Sequence, residues 1–179
     1  IGTIGATSFF PSKNLGCFGD GGAIFTNDDK LADHMNVIVN HGMKTRYYHD
    51  EIGVNSRLDS IQAAILRIKL RRLDQYNEAR NNSAKAYDEA FANHPNLTTP
   101  TRAENSTHVF HQYTLKVSGA DRNALQKHMM DNGVPAMIYY PVPMHLQSAY
   151  QDPRYKKGDF AVSEMLMEQV ISLPMHSEL

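Results

Sequence analysis

Hydrophobic positions in the first part of the chain fall in short runs that predict two strands followed by a helix. Residues 7–10 and 23–26 are apolar and β-prone, and the polar, glycine-rich residues 12–22 separate them. Asn27 is a favourable N-cap for a helix whose apolar residues recur every three or four positions. Gly42 suits the left-handed conformation that ends many helices. The pattern therefore predicts a β-loop-β-α beginning.

The longest helical pattern begins near residue 56 and continues to residue 91. Ser56 and Asp59 have a loose capping-box spacing, and a break is expected near residues 80–82. A helix of this length is expected to connect two lobes, residues 1–95 and 96–179. Basic residues in its first half are interleaved with acidic ones, so we interpret them as a solvent-exposed face: Arg67, Lys69, Arg71 and Arg72.

The second lobe also mixes strand and helix patterns. Residues 109–117 alternate between apolar and polar, which predicts a strand, and residues 134–138 are another β-prone run. Asp121 caps a predicted helix between them, and a further helix is expected at about residues 160–168, with no element after it. Strands and helices alternate in both lobes, which predicts an α/β or α+β fold.

Composition and charge exclude several classes of protein. Eighteen Lys and Arg against nineteen Asp and Glu give a net charge of −1, which favours neither nucleic acid nor a polybasic membrane-surface protein. No apolar stretch approaches the length of about 18 residues that spans a bilayer. Cys17 is the single cysteine, so no internal disulfide can form and a reducing compartment such as the cytoplasm is expected. His108 and His111 would lie on opposite faces of a strand, so no metal site is predicted.

Several residues could carry chemistry, although none decides the function alone. Lys13 follows a strand and precedes a glycine-rich loop, where it could form a Schiff base with a carbonyl compound or be an ordinary surface lysine. Asn55, at the expected helix N-terminus, could bind an anion or simply cap the helix. Arg57 could hold a carboxylate or phosphate, or form a surface ion pair. Tyr139 and Tyr140 could donate hydroxyl groups in a cleft, or be half-buried aromatic residues.

Five blocks along the chain together resemble one known family. The first is Thr-Ser-Phe-Phe-Pro-Ser-Lys-Asn-Leu-Gly-Cys-Phe-Gly-Asp-Gly-Gly-Ala, and the others follow it in order and extend almost to the end of the chain. The combination resembles the DegT/DnrJ/EryC1/StrS family of sugar aminotransferases, and it overturns the reading of Lys13 as a plain surface lysine and of Asn55 as a cap. The blocks are residues 7–23, 40–42, 53–64, 139–143 and 172–176.

The resemblance implies a fold-type I enzyme that uses pyridoxal 5'-phosphate (PLP). It makes Lys13 the Schiff-base lysine, which also moves the proton, and it makes Ser8 a ligand of the cofactor phosphate. Asn55 matches an asparagine that reaches the phosphate of the neighbouring subunit's cofactor, which implies a homodimer with shared active sites. Lysine rather than histidine at position 13 favours transamination over dehydration.

The resemblance also implies a substrate class. Arg57, Tyr139 and Tyr140 correspond to positions near the sugar substrate in related enzymes. Glutamate would give its amino group to a keto group on a nucleotide-linked sugar. The closest subgroup aminates a UDP-linked 2-acetamido 3-keto hexuronic acid for bacterial surface polysaccharide, including lipopolysaccharide.

Family members have a further N-terminal half, which holds the acid that pairs with the pyridine nitrogen. We therefore expect this chain to be a fragment, with residues 1–95 forming the end of the large domain and residues 96–179 most of the small α+β domain. Two other functions remain open. The chain could be a non-catalytic remnant that serves folding or oligomerisation, or an enzyme that uses Lys13 for Schiff-base chemistry without PLP.

Overall fold

The computed structural model describes residues 2–179, and the chain divides into two compact units. The first unit ends at Asp74 and the second comprises Gln75–Leu179. The division lies about twenty residues before the boundary expected from the sequence, so most of the long helical region belongs to the second unit. The assignment of residues 1–95 to the end of a large cofactor-binding domain stays a prediction.

The first unit contains two strand pairs and two helices. Strand β1 pairs with β2 in antiparallel register, with Ser8 opposite Gly22, and β3 pairs with β4 in a second antiparallel hairpin. The bounds of the elements are β1 Gly5–Ser8, β2 Gly22–Phe25, α1 Asp29–Val39, β3 Met43–Thr45, β4 Tyr48–His49 and α2 Ser60–Leu70.

Local chemistry sets both ends of α1. The N-cap is Asp28, one residue after the predicted Asn27, and its carboxylate accepts hydrogen bonds from the N–H groups of Lys30 and Leu31 at 2.9 and 3.2 Å. At the other end Gly42 has a φ of +74°, and its N–H donates to Val37 O at 2.8 Å. The predicted glycine stop is therefore confirmed, since glycine adopts this backbone conformation without penalty.

The long helix of the prediction is two helices in the structure, α2 and α3 Leu73–Phe91. Asp59 rather than Ser56 is the N-cap of α2, and its side chain accepts from Gln62 N–H at 2.8 Å. The break lies at residues 71–72, and the expected break at residues 80–82 is wrong. Helix α3 continues through these residues, where Asn81 and Ser83 bond back to carbonyls four residues earlier, at 2.9 and 3.1 Å.

The second unit is built on a three-stranded antiparallel sheet of order β5-β6-β7. Tyr113 and Leu115 of β6 lie opposite Leu173 and Ile171 of β7, a strand that the sequence pattern did not predict. The bounds are β5 Leu97–Thr98, β6 Tyr113–Val117, α4 Arg122–Asp131, α5 Ala161–Gln169 and β7 Val170–Leu173. One buried cluster forms the core: Ala84, Phe110, Tyr113, Leu115, Val117, Ala136, Ile171 and Leu173.

Two strand predictions in this unit are only partly correct. The strand expected from residue 109 begins at Tyr113, because the backbone turns at Phe110, whose φ is +40°. Residues 134–138 contribute a single bridge, Met137 to Ser172, rather than a strand. Arg80 holds the irregular backbone at Phe110, since its buried guanidinium donates to Phe110 O at 3.1 Å. The same guanidinium donates to Met175 O at 3.0 Å.

Two classes of feature are missing from residues 2–179. None of the helices there has the length and apolar character needed to cross a bilayer. In the same range no group of three or more His, Cys, Asp or Glu side chains could hold a metal ion.

Candidate active site

Lys13 lies in a closed loop, residues 9–21, which we call the Lys13 loop. Its two ends are joined by the N–H of Phe9, which donates to Gly21 O at 2.7 Å. Cys17 N–H donates back to Phe9 O at 2.8 Å, and Lys13 N–H closes a turn by donating to Phe10 O at 2.9 Å. The loop is therefore held by its own backbone, and Lys13 projects from an ordered turn.

Small residues make this closure possible. The Cys17 side chain is fully buried, and its thiol lies 3.0 Å from both Phe9 O and Gly19 O, so Cys17 packs as a small interior residue of the loop. A Cβ at Gly16 would lie 2.5 Å from Pro11 O, and one at Gly21 would lie 2.9 Å from the Cys17 sulfur. These glycines are needed because the chain approaches itself closely.

Ser8 and Lys13 flank a shared hydrogen-bonding residue, Phe10. Ser8 is exposed at the end of β1, where its Oγ accepts from Phe10 N–H at 3.2 Å and keeps its own hydrogen for another acceptor. The Lys13 side chain is half-buried, and no hydrogen bond or ion pair of its amine is found within residues 2–179. A hydroxyl donor and an unengaged primary amine therefore stand at the two ends of one turn.

Asn55 is positioned by the end of α1 and not by α2. Val54 N–H donates to Ile38 O at 2.7 Å, Ser56 N–H donates to Val39 O at 3.0 Å, and Asn55 itself forms a bridge with Asn40. Helix α2 begins only at Ser60, so the expectation that Asn55 stands at a positive helix end is wrong. Any affinity of Asn55 for an anion therefore does not come from the positive end of a helix.

Arg57 lies beside Asn55. Its Nε donates to Asn55 Oδ1 at 3.3 Å, and both residues are exposed. The contact orients the asparagine so that its NH₂ group and the outer nitrogens of the guanidinium remain available as donors. The pair thus offers several N–H groups and one positive charge to a ligand.

Both residues line an open cavity of about 1050 Å³ in the first unit. The wall that belongs to β1 and β2 combines small residues with the large apolar Ile24 and Phe25, and a Cβ added at Gly5 would meet nothing within 4 Å. Ser8 and Lys13 are not among the lining residues, although Thr7 and Gly22 beside Ser8 are. The structure thus brings Asn55 and Arg57 to one cavity, and Ser8 and Lys13 to an adjoining turn.

Tyr139 and Tyr140 belong to the second unit. Tyr139 is half-buried, whereas the Tyr140 side chain is 71% exposed, and the two rings meet edge to face with centroids 5.5 Å apart. Both hydroxyl groups are therefore able to meet a polar ligand. Their role near a substrate stays a prediction.

Two residues that hold the Lys13 loop were missed by sequence reasoning. Gln62 Oε1 accepts from Phe18 N–H at 2.7 Å, and Lys69 Nζ donates to Gly16 O. The interpretation of Lys69 as part of a solvent-exposed face is therefore wrong. Only the seven-residue spacing of Gln62 and Lys69, which places them on one helix face, could have indicated a shared role.

Comparison with known proteins supplies the family. A model described as the DegT/DnrJ/EryC1/StrS aminotransferase family matches residues 1–179, the whole chain. The chain belongs to this family. The expected resemblance and the fold-type I class are confirmed by solved aminotransferases of the same fold.

Three relatives illustrate the match to the DegT/DnrJ/EryC1/StrS family. The chain is 44% identical to a pleiotropic regulatory protein of Geobacillus stearothermophilus and 42% identical to the UDP-2-acetamido-2-deoxy-3-oxo-D-glucuronate aminotransferase of Pseudomonas aeruginosa; all of the chain aligns with 48% of each. The solved structure of S. venezuelae DesV superposes with a TM-score of 0.92 at 39% identity, over 99% of this chain and 48% of that one. The chain therefore spans about half the length of the relatives it matches.

Pyridoxal phosphate is the cofactor of this family. The residues present fit it, because an aldehyde needs a primary amine and a phosphate needs N–H and O–H donors. Lys13 offers the unengaged amine, Ser8 a free hydroxyl hydrogen and Asn55 an amide.

Proposed function

We propose that this chain supplies the lysine-bearing half of a PLP-dependent aminotransferase that acts on a nucleotide-linked keto sugar. The observation that carries the proposal is the Lys13 loop, which presents an unengaged amine beside the Ser8 hydroxyl in a chain that matches the aminotransferase family throughout. Glutamate is the proposed amino donor, and the acceptor is a keto group on the sugar.

Lys13, Ser8 and Asn55 are the residues proposed to hold the cofactor. Bound PLP supplies an electron sink that stabilises negative charge at the carbon from which a proton is removed. Lys13 would bind the aldehyde carbon through its amine, and Ser8 would donate its hydroxyl hydrogen to the phosphate. Asn55 would donate its amide to the phosphate held by a second copy of the chain, so the proposed enzyme is a homodimer.

Lys13 has a second proposed task, which is to move a proton. After an amino donor has displaced it, the free amine of Lys13 would take the proton from the donor's α-carbon and would return it to the cofactor carbon on the other side of the amino nitrogen. The turn closed by Lys13 N–H and Phe10 O keeps the base of this side chain fixed while its four-carbon stem moves. The protein thus provides a mobile amine on a rigid support.

The names of the relatives favour amination at sugar carbon 3. The relatives from Pseudomonas and Acidithiobacillus are named for 3-oxo and 3-dehydro UDP-linked sugars, and the relative from Streptomyces is named for a 3-amino dTDP-linked sugar. Arg57 adds a positive charge to the cavity, which suits a carboxylate. We therefore propose a UDP-linked 3-keto hexuronic acid as the amino acceptor. The aminated sugar would be made in the cytoplasm and used for surface polysaccharide.

Tyr139 and Tyr140 are proposed as substrate-binding residues because of their chemistry. A phenol hydroxyl can donate to and accept from sugar hydroxyl groups, while its ring packs on the apolar face of a sugar. The Tyr140 side chain is the stronger candidate for a direct contact, since it is the more exposed of the two. The half-buried Tyr139 packs against it.

Covalent trapping tests the cofactor proposal. The purified chain is mixed with PLP, its absorption is recorded, and borohydride is added before peptide mass spectrometry. We expect a band at about 410–430 nm and a stable adduct on Lys13. Lys13→Ala should lose both, whereas Lys44→Ala, a matched exposed lysine of the first unit, should keep them. An adduct spread evenly over the lysines, or none, would refute the proposed cofactor role for this chain.

A hybrid enzyme tests the reaction and the substrate. The chain replaces the matching C-terminal half of the Pseudomonas aminotransferase, and transfer of ¹⁵N from glutamate is followed for UDP-linked and dTDP-linked 3-keto sugars. We expect transfer to the UDP-linked hexuronic acid, with a higher KM in Arg57→Gln than in Arg57→Lys. Equal rates with neutral and acidic sugars in a folded hybrid would contradict the assignment of Arg57.

A further inference from the structure

One face of α2 carries two polar side chains that reach the Lys13 loop. Gln62, Leu66 and Lys69 are spaced by four and three residues, so they lie on one side of the helix, and Leu66 between the other two is buried. Gln62 and Lys69 are themselves half-buried. We propose that this pair clamps the Lys13 loop and acts as a positioning device for the lysine amine; the inference rests on the proposed function of Lys13.

Gln62 is the first arm of the clamp. Its Oε1 accepts from Phe18 N–H at 2.7 Å, a bond between residues 44 positions apart. Its amide nitrogen also limits the space beside Gly19, where an added Cβ would lie 3.0 Å away. One side chain therefore satisfies a backbone donor and packs against the next residue of the same loop. A shorter or apolar residue at position 62 would leave the Phe18 N–H without this acceptor.

Lys69 is the second arm, two turns further along the helix. Its ammonium donates to the carbonyl of Gly16, a buried residue, and lies 5.6 Å from the centroid of the Phe18 ring. A cation within about 6 Å of an aromatic ring is attracted to it. The ammonium thus contacts both sides of Cys17, through Gly16 and Phe18.

The clamped residues are connected to Lys13 by hydrogen bonds described above. Gly16 and Phe18 enclose Cys17, whose N–H and thiol both reach Phe9 O. The next residue, Phe10, accepts from Lys13 N–H. Movement of residues 16–18 away from α2 would therefore release Cys17 and loosen the turn that carries Lys13. Gln62 and Lys69 act through the loop and do not touch the reacting atoms.

The single cysteine makes the clamp measurable in the chain itself. Alkylation of the fully buried Cys17 by iodoacetamide reports how often the loop opens, and acetylation of Lys13, read by mass spectrometry, reports how freely the amine moves. We expect Gln62→Leu and Lys69→Met each to speed alkylation of Cys17 by about tenfold, which corresponds to the net contribution of one hydrogen bond. Lys13 acetylation should rise in parallel.

Matched controls lie on α3. Gln75→Leu and Lys85→Met change the same residue types at exposed positions and should leave both rates within twofold of the wild type. Gln62→Glu keeps an acceptor and Lys69→Arg keeps a donor, so Cys17 should be alkylated as slowly in both variants as in the wild type. These two conservative variants keep the test valid if an apolar variant fails to fold. Alkylation at the wild-type rate in Gln62→Leu and Lys69→Met, or equal acceleration in the α3 controls, would overturn the clamp.

A second readout separates this inference from the proposed function. After PLP is trapped on Lys13, circular dichroism in the cofactor band reports how rigidly the lysine is held. We expect Gln62→Leu and Lys69→Met to weaken that signal per trapped cofactor. A wild-type chain that alkylates slowly but traps no PLP would refute the cofactor role and leave the clamp standing. Trapping on Lys13 with an unchanged signal in both variants would refute the clamp alone.

Discussion

The two units of the chain differ in how they bury their apolar residues. The second unit encloses a contiguous core of eight buried residues from helix α3, the sheet and the loops between them. In the first unit, the short sheet of β1 and β2 has no fully buried position, and its large apolar side chains are largely exposed, among them Ile24 and Phe25. The first unit is held mainly by backbone hydrogen bonds and close glycine contacts, whereas the second is held by packing.

This difference matches the division of chemical roles. Lys13, Ser8, Asn55 and Arg57 all belong to the first unit, where exposed apolar surface surrounds an open cavity. A site built this way can be completed by a further surface, such as the remaining half of a family member or a second copy of the chain. The second unit supplies a stable body with two candidate substrate residues. We therefore expect the first unit to be the less stable of the two.

The largest effect should come from opening the core of the second unit. Ile171 is fully buried, and Ile171→Ala should lower the free energy of unfolding by about 4 kcal/mol, because it removes apolar contacts and leaves a cavity. Ile61→Ala, at a side chain that is 74% exposed in the first unit, should cost less than about 0.5 kcal/mol. Hydrogen exchange read separately for each unit measures both. Similar losses of unfolding free energy in the two variants would contradict the proposed difference in core packing between the units.

Two glycines with the same backbone conformation sharpen the comparison. Gly42 and Gly133 have φ values of +74° and +77°, but a Cβ at Gly42 would lie 1.8 Å from Glu51 O, while one at Gly133 would meet nothing within 4 Å. Gly133→Ala should cost about 1–2 kcal/mol for the left-handed conformation alone. Gly42→Ala should cost about 3 kcal/mol, because the backbone must also move. Denaturant unfolding of the two variants would show equal losses if the contact of Gly42 were unimportant.

Sequence patterns predicted the helices better than the strands. Asp121 marks the start of α4 as predicted, because capping is a contact between neighbours in the chain. Strand β7 was missed because its four buried residues have no alternation, and its partner β6 lies more than fifty residues earlier. The split between α2 and α3 was misplaced because the apolar periodicity continues across residues 71–72.

The candidate site was predictable only in part, for a related reason. Lys13 and Ser8 lie within one continuous motif, so their neighbourhood could be inferred from the sequence. The position of Asn55 depends on bonds to Ile38 and Val39 at the end of α1, which no local pattern encodes. The contact of Lys69 with the Lys13 loop spans 53 positions, and nothing in the sequence separates this lysine from its basic neighbours.

The helix caps of the two units provide a test of their relative stability with a smaller expected effect. Asp59 in the first unit accepts one backbone N–H bond and Asp121 in the second accepts two, and the shortest bond of each cap is 2.8 Å. Replacing either with alanine should cost about 1 kcal/mol, and replacing either with asparagine should restore most of it. Because the first unit is expected to be less stable, Asp59→Ala should increase its exchange more visibly. A larger response in the second unit would reverse the proposed order of stability.

The smallest expected effect is a dependence of the stability of the second unit on pH. His145 Nε2 lies 2.9 Å from Glu164, and this hydrogen bond, together with one from Gly158 N–H, lowers the pKa of the Glu164 carboxyl below its ordinary value. The stabilisation is therefore present above the ordinary carboxyl pKa of about 4.3, and it is lost as pH falls through the lowered value. Glu164→Gln should lower the urea midpoint at pH 6 and have less effect at pH 3. A difference in urea midpoint between Glu164→Gln and the wild type that is the same at pH 6 and pH 3 would contradict a role for the Glu164 carboxylate.

The anchor formed by Arg80 has a consequence for synthesis of the protein. This guanidinium joins α3 to Met175, which lies 95 positions later, and β7 completes the sheet only just before that residue. Translation must therefore deliver almost the whole second unit out of the ribosomal tunnel before its packing can close. The Lys13 loop closes within a span of thirteen residues and can form while the second unit is still being made. The half of the chain with the weaker core thus has the earlier opportunity to fold.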